Sequence, residues 1–200
     1  WTGTFNLTAG QQEYKFTING WSADEQFDGS ESCTTAPAQY VNRVTTISGA
    51  TTLPVVCWNS CDICYDINNT TAGTGHTTIQ DAIDAASAGD VITLVDGTYA
   101  IETPIAVNKA VTLQGQSEAG VVLECGAGLG GANSIQVTAG ATLKDFTLNA
   151  NSNATFGIHV QPGTANATLS GLTITNTASN GIGLSGVTDA TVSDIAGSGN

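Results

Sequence analysis

Basic residues are scarce: Lys15, Arg43, Lys109 and Lys144 stand against 17 acidic residues, for a formal net charge of −13 over 200 residues. Proteins that hold a phosphate backbone by releasing its counterions need clustered Lys and Arg, so nucleic acid is not an expected partner. Anionic membranes and polyanionic sugars are repelled at long range. Charge of either sign is thin too, at 10 % of residues, well below the usual globular share. Methionine is absent altogether. No apolar run is long enough to span a bilayer and no signal-peptide pattern is visible, so membrane insertion is not expected. Gly, Thr, Ala, Asn and Ser fill the space that charge leaves, between apolar residues that are periodic. That combination argues against disorder and for a turn-rich β fold.

The periodicity is clearest after Thr77. Ser134-Ile135-Gln136-Val137, Gly157-Ile158-His159-Val160 and Gly181-Ile182-Gly183-Leu184 are three copies of one alternating strand. A second family runs beside them, as Thr142–Leu148, Thr168–Ile174 and Thr191–Ile195. Two interleaved strand families with a shared period of about 24 residues signify a solenoid. Each coil cannot bury its apolar face alone, so stacked coils share one core. An amphipathic helix over Thr78–Ala86 and a strand over Val91–Val95 precede the repeats, and Asp96-Gly97-Thr98-Tyr99 reads as a turn.

The run Thr78-Ile79-Gln80-Asp81-Ala82-Ile83-Asp84-Ala85-Ala86-Ser87-Ala88-Gly89-Asp90-Val91-Ile92-Thr93-Leu94-Val95-Asp96-Gly97-Thr98-Tyr99 resembles the N-terminal cap and first coil of right-handed β-helices of the pectin-lyase-like superfamily. Ile105–Gly115 and Val121–Leu123 continue the resemblance. It implies an all-β fold: a right-handed parallel β-helix over 77–200 with an N-terminal capping helix, preceded by a small β-sandwich-like module. That fold hosts lyases, hydrolases, epimerases, phage spikes and adhesins, so it does not choose among them.

Residues 1–65 read as a partial β-sandwich with a Cys-rich end, and 66–76 as a polar linker. Glu13-Tyr14-Lys15-Phe16-Thr17-Ile18-Asn19-Gly20-Trp21 resembles the strand–turn–Trp element of immunoglobulin-like starch- and glycogen-binding modules. The resemblance implies that Trp21 stacks on sugar rings, with Trp1 and Trp58 as lesser candidates. The plainer alternative is that Trp21 plugs the module core. Cys33, Cys57, Cys61 and Cys64 cluster and are expected to form disulfides of open pairing; a zinc site is the competing reading, with Cys33 awkwardly distant. Disulfides place the protein in an oxidising, extracellular or cell-surface setting. Cys125, alone in an apolar strand, reads as a buried thiol. No cofactor is required; Ca²⁺ is the one ion that Asp62, Asp66 and Asn68 could ligate, though their spacing fits no EF-hand-like loop. Asn6, Asn68, Asn69, Asn153 and Asn166 each begin an Asn-x-Thr triplet.

Catalytic residues are sparse. A β-helix lyase would need a base such as Arg beside an acidic Ca²⁺ cluster, and a hydrolase needs two carboxylates flanking the scissile bond. From residue 134 onward the chain offers Lys144, His159, Asp145, Asp189 and Asp194. Asp145 and Asp194 share a strand family but stand two coils apart, with Ser170-Gly171 between, and the plain reading is turn-forming Asp. His159 alternates with Ile158 and Val160 and should face outward as an exposed surface residue. Thr-rich coils raise ice binding, for which the sequence offers only the weak Thr173-Ile174-Thr175. The expected function is an extracellular non-catalytic surface protein, an adhesin or a filament or stalk segment, with a polysaccharide or cell-surface glycan and self-association as partners. The alternative is a secreted polysaccharide lyase or glycoside hydrolase with its active site on later coils. In either case the chain is expected to be a piece of a longer protein.

Overall fold

The computed structural model describes residues 6–35, 40–50, 56–61 and 64–200. The chain divides into two compact units, Trp1–Cys64 and Tyr65–Asn200.

In the first unit, β1 (Gly10–Tyr14), β2 (Thr17–Ile18), β3 (Ala23–Asp24) and β4 (Arg43–Ile47) form two small antiparallel pairs, β1 with β4 and β2 with β3. The strand of the Glu13–Ile18 run breaks at Lys15-Phe16, and Gly10 opens β1 opposite Ile47. Val41 is the one apolar side chain of this unit that is buried among the described residues. Two disulfides, Cys33–Cys61 and Cys57–Cys64, do what a larger apolar core would otherwise do. Closing the 28-residue separation between Cys33 and Cys61 is worth about 3–4 kcal/mol in a chain-entropy account. Calorimetry with and without a phosphine reductant should show the first unit destabilised by that order. The second unit, whose Cys125 is a free thiol, should keep its transition.

The second unit opens with β5 (Ile67–Asn69) and β6 (Thr74–His76), then α1 (Ile79–Ala85). The segment 66–76 is therefore not a linker over most of its length. β5 pairs antiparallel with β6 on one side and with β7 (Val91–Leu94) on the other, covering the edge of the first coil. Its polar composition has a structural use: buried Asn69 accepts from the amides of Thr71 and Ala72 and donates to Asp90 at 2.8 Å, which makes the turn. Thr78 caps α1 by accepting from the Asp81 amide, and Ile79, Ala82 and Ile83 face the core. Lys109 Nζ donates to the carbonyls of Asp84 and Ala86 at the other end, where the helix leaves carbonyls unpaired.

The coils follow as β8 (Gly97–Ile101), β9 (Ile105–Val107), β10 (Thr112–Gly115), β11 (Val121–Cys125), β12 (Ile135–Val137), β13 (Thr142–Asn149), β14 (Phe156–Val160), β15 (Thr168–Thr175), β16 (Asn180–Leu184) and β17 (Thr191–Ser198). They make an all-β parallel β-helix of about four turns. Gly97 to Tyr99 are strand and not turn, because the Gly97 amide already bonds the Gly120 carbonyl and β8 pairs with β11; the corner is only Val95-Asp96.

Parallel register stacks like on like. Ile105, Ile135, Ile158 and Ile182 form one inward column, and Val107, Val137, Val160 and Leu184 form another. Ile92, Leu113, Leu143, Leu169 and Val192 form a third. β13, β15 and β17 each bend at one residue with positive φ: Asp145 (60°), Gly171 (58°) and Asp194 (51°). The bends repeat as the strands do. Gly163, Asn166, Gly171 and Asn176 are all left-handed, and so are Gly186, Asp189, Asp194 and Gly199, about one 23-residue coil later.

Candidate functional site

The Asn19-Gly20 turn signal lies in the loop joining β2 to β3, closed by the Ser22 amide donating to the Ile18 carbonyl at 2.9 Å. Three successive residues there are left-handed: Asn19 (φ 47°), Gly20 (61°) and Trp21 (80°). Positive φ is unfavourable for a bulky side chain, and such strain collects at ligand-binding positions. Trp21 is 71 % exposed. The reading that it plugs the module core is thus incorrect: the third left-handed step aims the indole away from the protein. Trp58 is 42 % exposed, and Trp1 lies outside the described residues.

Beneath the loops, the first unit is held by charge. Arg43 is 1 % exposed and Glu25 is 0 % exposed. Arg43 Nε donates to Glu25 Oε2 at 2.8 Å, and its Nη2 donates to Glu25 Oε1. The same Nη2 also donates to the Cys57 and Ser60 carbonyls at 2.8 and 2.9 Å. The rings of Phe16 and Phe27 lie 5.4 and 4.9 Å from the guanidinium carbon. Burial alone would raise the Glu25 carboxyl. The guanidinium, with the amides of Phe16 and Asn59 donating to it, holds it below its ordinary 4.5. A depressed carboxyl adds stability that is present above its unfolded value and lost as pH falls through its folded one. Acid titration followed by tryptophan fluorescence should therefore show the first unit loosening below about pH 4.5. A profile flat to pH 2 would contradict this.

On the solenoid, Asp145 and Asp194 occupy the same corner column with Gly171 between them. A Cβ on Gly171 would come 2.6 Å from Asp145 Oδ1, the movable end of a 44 % exposed side chain, and the coil between the two aspartates supplies no carboxylate at this corner. Two coils span about 9–10 Å at sheet spacing, beyond a retaining pair and at the outer limit for an inverting one. Asp145 pairs with Lys144 at 3.3 Å. Asp66 is exposed, the Asn68 side chain donates to the Tyr65 carbonyl, and Asp62 lies outside the described residues. No group of three or more His, Cys, Asp or Glu side chains suited to a metal occurs among the described residues. Cys125 is buried, its thiol pushed up by that burial and 2.8 Å from the Ser134 hydroxyl.

His159 is neither isolated nor fully exposed. It faces out from β14 half-buried, stacked on Phe156 with ring centroids 4.9 Å apart and planes 15° from parallel. Asn133 Nδ2 and Gln161 Nε2 lie 3.0 and 3.1 Å from its Nδ1. Neither this cluster nor the Arg43–Glu25 pair was legible as a site. The doubled inward step at Gly157-Ile158, which puts Phe156 and His159 on one face, breaks the alternation on which sequence reading depends.

A family model described as Protein of unknown function (DUF1565) covers residues 64–197. That family is associated with parallel β-helix proteins, as the solenoid geometry would require. No curated protein and no solved structure matches the chain.

Proposed function

This chain belongs to that DUF1565 family, and with membership as the premise we propose that it serves as an extracellular, non-catalytic surface protein that binds carbohydrate. In this reading the β-helix is a stiff stalk and the disulfide-tied first unit presents the sugar contact. The observation that carries it is Trp21, a large indole held out in solvent on a strained loop above a unit that is otherwise locked. The apolar C–H face of a sugar matches an indole face, and exposed tryptophans are the usual anchors of binding surfaces.

Two disulfides fit an oxidising compartment, and among the described residues no helix is long and apolar enough to cross a membrane. The lyase or hydrolase alternative needs converging carboxylates or a base beside one; among the described residues Gly171 stands between the two corner aspartates. Affinity electrophoresis of the full chain in neutral polysaccharide gels provides the test. Trp21→Ala should weaken retention about tenfold or more while the disulfides and circular dichroism stay unchanged. Equal retention of both proteins would sink the role given to Trp21.

A further inference from the structure

We propose that Phe156, His159, Asn133 and Gln161 form a second binding subsite, for one uncharged sugar residue, on the outer face of the sheet made by β9, β12, β14 and β16. The inference rests on the carbohydrate reading above and extends it to the other unit.

The local geometry begins with the backbone. Gly157 and Ile158 both turn inward, so Phe156 and His159 emerge on the same face three residues apart and their rings stack. The rings reach across the next coil. Gly183 lies in register with His159, and a Cβ there would stand 2.8 Å from Phe156 Cδ1 and 2.9 Å from His159 Cδ2. The bare Gly183 backbone is what lets the aromatic pair lie over β16.

Polar groups around the pair are present in excess of what the fold uses. Two amide nitrogens approach a single Nδ1 lone pair, which accepts from only one of them at a time. At least one amide donor is therefore open at every instant. An imidazole that accepts at Nδ1 carries its proton on Nε2, and Nε2 has no protein partner among the described residues. Converging N–H donors beside aromatic carbon match the hydroxyls and C–H groups of a sugar ring.

Charge selects the class of sugar. The outward column of this face is Ala106, Gln136, His159 and Gly183, which offers a uronate no Arg or Lys. The whole chain carries −13, which disfavours a polyanion further. A neutral glycosyl unit is what remains.

The test uses the full chain carrying W21A, which removes the first contact, and H76Q, which leaves His159 as the only histidine. Imidazole proton–nitrogen correlations are followed during titration with hexaoses of β-1,4-glucose, β-1,3-glucose, β-1,4-xylose, β-1,4-mannose and N-acetylglucosamine, with hexagalacturonate as the anionic probe. The expected result is that at least one neutral hexaose moves the His159 resonances saturably, and that Asn133→Ala weakens that binding about fivefold or more. Silence of His159 with every neutral probe, or a response to hexagalacturonate alone, would overturn the proposal. A His159 response in a protein whose retention is indifferent to Trp21 would instead remove the Trp21 role and leave this subsite standing.

Discussion

Arg43→Ala unfolds the first unit at neutral pH while the β-helix keeps its own transition. The substitution leaves the Glu25 carboxylate buried without its cation and removes the guanidinium's bonds to the Cys57 and Ser60 carbonyls. Breaking a buried pair from one side costs about 3–5 kcal/mol, which is of the order of the whole stability of so small a domain. Phe16 and Phe27 lose the cation between them as well. Replacing both partners by apolar residues, Glu25→Leu with Arg43→Met, should recover part of the loss. The recovery is incomplete because neither carbonyl regains its bond from the guanidinium. Hydrogen exchange resolved by residue reads both outcomes. Native protection around β1 and β4 in Arg43→Ala would contradict the account.

Phe146→Ala has the second large effect, and it falls on the other unit. Phe146 is fully buried just inside the Asp145 bend and is in register with Leu172 and, one coil further, Ile195. Truncation removes the ring's transfer free energy and leaves a cavity in a column that neighbouring coils cannot close, at about 3–5 kcal/mol. The melting temperature of the solenoid should fall by about 10–20 °C. Ser170→Ala, on an outward position of β15, should move it by no more than about 2 °C. Calorimetry that finds the two variants alike would mean that stacked columns do not set the stability.

These effects divide along the line between what could be read from residues alone and what could not. Repetition made the columns legible: a strand that returns every 23 or so residues with Ile at the same place must stack Ile on Ile, as Ile135, Ile158 and Ile182 do. Thr78 before an apolar-periodic run marked the helix start. Elements that occur once had no such amplification. The β5–β6 hairpin looked like a linker because its asparagines are spent on turns and a buried bond to Asp90. Arg43 and Glu25 are 18 residues apart with no pattern joining them. Asn19-Gly20 marked a turn, but the direction of Trp21 depends on a third left-handed residue that propensity does not foresee. His159 was legible as outward; its stacking on Phe156 needed the doubled inward step.

The most direct measurement places the intact protein with a panel of neutral and uronate-containing polysaccharides, with and without Ca²⁺. Binding is followed by retention, and turnover by unsaturated-product absorbance and new reducing ends. A non-catalytic surface protein with an exposed Trp21 should retain at least one neutral polysaccharide and release no product from any. Turnover of a single member of the panel would contradict the account and return the solenoid to the enzymes.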